Sequence, residues 1–211
     1  MAATIIYSGT VILGGLIRPG YNHLVEAISE LVADGAPNRT LLSSLFLVYN
    51  ALATLFGIGL LFVANGQSRG QAVGIIGALA LTILVGVPGI LMELAFPQDP
   101  GGIPTTFAGT MHIAMAGVAS LGTMVAVLLI GFWFRNFPEL KSYFTYSVVS
   151  VAIIFVSGGL TAAAMANSFH FFGLLERITI GTFILWLFVT GQKLFQLENK
   201  SSKHLKLELS N

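Results

Sequence analysis

The sequence predicts an all-α integral membrane protein, one bundle of six transmembrane helices, and three observations predict it. Hydrophobic residues make up 55% of the chain and charged residues only 9%, against roughly 25% charged in an ordinary soluble domain. A globule of 211 residues cannot cover its surface with so few charges, whereas a surface facing hydrocarbon has no need of them. The apolar residues also come in runs of about 20, enough to cross about 30 Å of hydrocarbon as a helix and far longer than barrel strands. Finally, Lys and Arg are shared unequally between alternate loops, as multi-pass proteins of the cell membrane share them.

The spans fall near 2–18, 41–64, 71–92, 107–133, 145–166 and 173–192, giving a transmembrane domain over 1–192 and a polar tail over 193–211. No basic residue precedes the first run, as one would in a secretory signal, so it reads as a helix that stays in the membrane. Arg18-Pro19-Gly20 stops it, and Arg18 can snorkel to the interface. The third run ends in Gly86-Val87-Pro88-Gly89, where Pro88 cannot donate to the Leu84 carbonyl, which predicts a kink or a frayed end. Gly70, Gly74 and Ala78, then Ala108, His112, Ala116 and Ser120, recur at four-residue spacing. With Gly158-Gly159 and Ala162 to Ala164, they predict close helix packing. The tail, with Lys193, Lys200, Lys203, Lys206, Glu198 and Glu208, reads as an interfacial or disordered extension beside anionic head groups.

One set of loops and ends carries Arg69, Arg135, Lys141, Lys193, Lys200, Lys203 and Lys206; the other carries Arg18, Arg39 and Arg177. Seven against three predicts that both termini are cytoplasmic.

Several functions are disfavoured. A net charge of +1 gives no field for nucleic acid, and the absence of cysteine removes disulfides, thiolate metal sites and thiol nucleophiles. No glycine cluster follows a strand, and neither a HExxH metal motif nor a GxSxG elbow is present. His23 and Glu26 stand at i, i+3, which can place two ligands on one helical face, but the expectation is no metal and no cofactor. The middles of the spans hold essentially no ionisable residue, which disfavours ion coupling.

On this topology the outer end gathers the polar chemistry. Glu26, Glu30, Asp34, Glu93, Asp99, Glu176, His23, His112 and His170 lie there; Glu139, Glu198, Glu208 and His204 lie inside. In the long outer segment, Leu24, Val25, Ile28, Leu31 and Val32 alternate with His23, Glu26 and Glu30 at helical spacing. They predict an amphipathic outer helix at about 22–32, either a solvated surface helix or a lid over the bundle mouth. His112 begins the fourth span on a ridge of small residues and should face other helices, where an intramembrane histidine is a functional candidate or a buried structural one. Glu176 and Arg177 open the sixth span, and Glu93 lies just past Pro88; each suits a helix end or an inward-facing site.

The stretch from Arg18-Pro19-Gly20-Tyr21 through Ile28-Ser29-Glu30-Leu31 to Ala36-Pro37 resembles a family of small prokaryotic membrane proteins. His112 and Gly173-Leu174-Leu175-Glu176-Arg177 share in the resemblance. The family is the domain of unknown function number nine hundred and ninety-eight. Its members often have glycine after the Ile-Ser-Glu-Leu core; Val32 stands there in this chain, which extends the expected outer helix. The resemblance implies six helices and no activity. A more distant similarity, to membrane proteins of lipid-anchor remodelling and lipid homeostasis, implies a lipid-related role.

The leading expectation is binding or processing of a lipid or other hydrophobic small molecule at the outer side. The site would draw on Arg18, His23, Glu26, Glu30, Glu93, His112, Glu176 and Arg177. His112 and Glu30 are the candidate acid and base, and Arg177 would pair with a phosphate or carboxylate head group. Membrane lipids are the expected partners, with no nucleic acid. The alternatives are an accessory subunit packed on other membrane subunits, and a transporter of small solutes.

Overall fold

In the computed structural model, residues 1–167 and 170–209 are described, with side chains as far as Lys200 except Ala166. Every regular element among them is helical. Helix α1 (Ala2–Ile17) leads to a long connection with one 3-10 turn (Ser29–Val32), and α2 follows (Arg39–Asn65). Helix α3 (Gln71–Leu79) runs through a π-helical stretch (Ala80–Gly86) into α4 (Val87–Leu94). The bundle closes with α5 (Phe107–Phe134), α6 (Lys141–Asn167) and α7 (Phe172–Leu209).

With α3 to α4 taken as one crossing, 5 of these helices are long and apolar enough to span a membrane, and α1 is a shorter apolar helix beside them. The chain is therefore a multi-pass membrane bundle of about six helices. Leu16, Phe62, Phe155 and Leu185 point outward, each more than half exposed. Such a surface would aggregate in water and is at home against lipid tails. Inside, Ile130, Trp133 and Phe134 of α5 pack with Leu81, Ile154, Trp186 and Leu187 in the main core. The Trp186 indole N–H donates to Ser147 Oγ at 2.9 Å, whereas the Trp133 indole N–H, buried in the same core, has no partner among the described residues.

Glycine lets α3 approach α5. A Cβ on Gly74 would lie 2.8 Å from the Trp133 ring, and one on Gly77 would lie 3.0 Å from the Ile130 nitrogen. The expectation at Pro88 needs amending. The crossing neither frays nor stops there, because its backbone first widens to the π register, with Val87 N–H bonded to the Thr82 carbonyl. Pro88 then sits in the first turn of α4, where no donor is needed. Helix α7 also runs past the sixth predicted span, through the start of the tail to Leu209. The side chains of Lys203, His204, Lys206 and Glu208 lie outside the described residues.

The continuous outer helix over 22–32 is not formed. Residues 22–26 make a turn, and only Ser29–Val32 is helical. The apolar periodicity was half right: Ile28, Leu31 and Val32 are buried against Leu42 and Phe46 of α2, while Leu24 and Val25 are exposed. The physical reason is competition for backbone groups. The carbonyls of Leu24 and Val25 accept from Leu174 and Gly173 N–H, those of Glu26 and Ala27 accept from Arg177 and Tyr21, and Ile28 N–H goes to Glu176. Groups committed to α7 are not free for a helix of their own.

Candidate functional site

The connections 18–38 and 95–106 lie at the same end of the bundle and form a roof. Asp34 N–H donates to the Gln98 carbonyl at 2.9 Å, and Ser29 hydroxyl donates to Gln98 Oε1. Asp99, which is buried, holds the second connection to the start of α5. Its carboxylate accepts from Thr105 N–H at 2.6 Å and Thr106 N–H at 2.7 Å, and from both threonine hydroxyls. Thr106 Oγ1 accepts in turn from Gly109 N–H at 3.0 Å, capping α5. The backbone N–H groups of Thr105 and Thr106 hold the Asp99 carboxyl down at about 2.

Consecutive residues at the start of α7 fasten the roof by opposite polarities. Glu176 Oε2 accepts Ile28 N–H at 2.6 Å. Arg177 donates to the Glu26 and Gly173 carbonyls, both at 2.9 Å, and to the Tyr21 hydroxyl at 2.5 Å. Tyr21 donates onward to the Ala27 carbonyl at 2.6 Å. Burial drives the Tyr21 phenol up to about 12 against the pull of Arg177, so it stays a neutral donor. Gly173 permits this contact: a Cβ there would meet the Glu26 carbonyl oxygen.

Beneath the roof lies a cavity of about 430 Å³, within the range of about 300–1,000 Å³ usual for small-molecule sites. Ile28, Ser29, Val32 and Gln98 line it from the roof. Its walls come from Tyr7 of α1, Val85 of the π-helical stretch, and α2, α4, α5, α6 and α7, and it reaches Thr123, Ile154 and Phe183 near the middle of the bundle. The lining is mostly apolar. Glu93, His112 and Glu176 stand at its roof end, with Asn50 on α2. Of the lining residues, the exposed ones are Ala116 and Gly117 on α5 and Ala162 and Met165 on α6. The cavity therefore opens sideways between two spans, toward hydrocarbon.

The three ionisable groups at the roof end each have one fixed partner. Glu93 Oε2 takes the Ser43 hydroxyl, and Glu176 Oε2 takes Ile28 N–H. His112 is 7% exposed, and its Nδ1 lies 2.8 Å from the Phe96 carbonyl. A carbonyl only accepts, so Nδ1 carries the proton and the Nε2 of a neutral ring is an acceptor.

Of the eight residues selected from the sequence, Glu93, His112 and Glu176 meet around one cavity. The other five belong to the roof and do not line it. Arg18 donates to the Glu30 carbonyl and lies 3.8 Å from Glu26 and 3.9 Å from Glu30 carboxylate oxygens. Glu30 itself accepts from Gln98 Nε2 at 2.8 Å and Gly101 N–H at 3.3 Å. His23 lies edge-on to Tyr21 and fills the space left by Gly15; burial first, then Arg177, lowers its pKa. Among the described residues no three His, Asp or Glu side chains are grouped to hold a metal ion. Asn50, Gln98 and Ser29 were missed; an Asn within an apolar span was the available signal for the first.

The profile of the family described as "Protein of unknown function (DUF998)" matches residues 1–193, from the start of the chain into α7. The chain belongs to the DUF998 family. No curated protein and no solved structure matches it. Membership in DUF998 brings no activity with it, so the function is argued from the cavity itself.

Proposed function

We propose that this DUF998 protein binds a lipid or other hydrophobic small molecule, drawn sideways from the bilayer into the cavity under the roof. The single observation that carries this reading is the combination of apolar walls, a mouth between α5 and α6, and three ionisable side chains gathered at one end. An amphiphile fits that arrangement with its chain along the walls and its polar end at Glu93, His112 and Glu176. The charge asymmetry of the loops puts this end at the outer leaflet of the cell membrane. Processing of the bound molecule would use His112 Nε2 as the base.

The competing reading is an accessory subunit in which the polar residues only hold helices together. The roof supports it, because Arg18, Glu26 and Glu30 are paired with one another and Arg177 donates to the roof backbone. The cavity favours binding over this alternative, because its walls leave volume that a purely structural contact would close.

Native mass spectrometry of the gently purified protein, wild type beside His112→Ala, tests the proposal. A discrete bound mass that the variant loses is the expected result. A bare mass in both, or the same set of bulk lipids in both, overturns the binding role.

A further inference from the structure

The chemistry around the cavity also selects the head group. No Lys or Arg is among the lining residues, although two arginines lie close by in sequence or in the roof. Arg177 donates from its two terminal nitrogens to the Glu26 and Gly173 carbonyls and the Tyr21 hydroxyl, and it is not among the lining residues. Arg18 is spent on the Glu30 carbonyl and on the carboxylates of Glu26 and Glu30. What Glu93, Glu176 and His112 offer to the cavity is acceptors. Glu93 and Glu176 each have one carboxylate oxygen engaged, which leaves Oε1 on both. His112 has Nδ1 engaged, which leaves Nε2.

A phosphate or carboxylate head group would bring negative charge beside two carboxyls, with no Lys or Arg among the described lining residues to meet it. Such a contact is strongly unfavourable. An ammonium has three donors and the opposite charge. It can donate to the free acceptors of these side chains and carries the charge that suits the carboxyls.

Room and access set the remainder of the molecule. A volume of about 430 Å³ holds on the order of a dozen water-sized groups, which suits one alkyl chain better than two. The mouth is built of small side chains, Ala116, Gly117 and Ala162, within the apolar length of α5 and α6. Gly117 has no atom within 4 Å of where a Cβ would stand, so the space beside it is open.

We infer that the ligand is a single-chain amphiphile with a cationic amine head, which enters between α5 and α6 and seats its ammonium among Glu93, His112 and Glu176. This rests on the binding role proposed above and makes it specific.

The test compares dodecylamine, dodecanol and dodecyl phosphate, which share a chain and differ in the head, by binding to the purified full-length protein in lipid nanodiscs. The wild type is measured beside Glu93→Gln, Glu176→Gln and Gly117→Leu. The inference expects the amine to bind about tenfold or more tightly than the phosphate. It expects that preference to shrink in both glutamine variants, and Gly117→Leu to weaken all binding without loss of folded protein. Equal binding of the three amphiphiles, or a preference for the phosphate, overturns the amine assignment and leaves the cavity as a binding site. Binding of none of them overturns both. The wild-type comparison decides the matter even where a glutamine variant does not fold.

Discussion

The Nδ1 of His112 lies 2.8 Å from the carbonyl oxygen of Phe96, so a buried imidazole inside the membrane has its tautomer set by the roof connection that precedes its own helix. The ring is oriented by one nitrogen, and the other remains an acceptor. In the amine-bound protein that acceptor meets a charged donor, a contact worth about 1.5–3 kcal/mol. His112→Ala is therefore expected to weaken dodecylamine binding by about tenfold or more. Titration calorimetry checks this, and unchanged affinity in a folded variant would remove His112 from the site.

Arg177 is a fastening of the roof and not a ligand for the cavity. Arg177→Met leaves the Glu26 carbonyl and the Tyr21 hydroxyl without their donor, at about 1–3 kcal/mol for each buried group left unpaired. Amide hydrogen exchange across residues 21–32 is expected to speed up. Arg177→Lys should restore little of the protection, because one ammonium cannot reproduce the fork that reaches both Glu26 and Tyr21. Unchanged exchange in Arg177→Met would show that the roof is held elsewhere.

Two glycines separate a backbone obstacle from a side-chain one. A Cβ on Gly15 would meet the His23 imidazole, which can swing away; a Cβ on Gly173 would meet the carbonyl oxygens of Glu26 and His23, which cannot. Gly173→Ala should loosen the roof and raise exchange over 21–32, whereas Gly15→Ala should leave it nearly as protected as wild type. The reverse order would contradict the packing described.

Asp99 gives the roof a pH dependence of known sign. Its carboxyl is held down at about 2 by the Thr105 and Thr106 N–H groups, below an ordinary aspartate value of about 3.9. A depressed folded-state pKa means that the stabilisation is fully present above the unfolded value and fades as the pH falls through the folded one. The melting temperature of Asp99→Asn should lie below that of wild type at neutral pH. The gap should narrow only as the pH drops from about 4 toward 2. A gap that does not depend on pH would mean that the carboxylate charge is not what secures the roof.

The bundle of about six helices was legible because hydropathy over about 20 residues is a strong, local signal. The roof was not, because its shape is set by partners far along the chain. Ile28 bonds to Glu176 and Glu26 to Arg177, and no periodicity within 22–32 could announce that its backbone was already engaged. The small residues misled in an instructive way. Gly74 does bring α3 against Trp133, as expected, but Ala116, Gly117 and Ala162 line the mouth of the cavity, and the space beside Gly117 is open. Small side chains permit either a close approach or an empty space, and only the neighbouring helices decide which. Of the charged residues, Glu93, His112 and Glu176 line one cavity, and the others of the outer end do not.

The central claim is that an amphiphile from the membrane occupies this cavity, and photo-crosslinking tests it most directly. A dodecylamine analogue with a diazirine on its chain would be irradiated with the protein in nanodiscs and its adducts located by peptide mass spectrometry. The account predicts adducts on cavity-lining stretches, Ile113 to Thr123 of α5 and Ile154 to Met165 of α6, that excess dodecylamine suppresses and Gly117→Leu reduces. Adducts confined to outward-facing positions such as Leu16, Phe62 and Leu185, with no suppression by competitor, would contradict it.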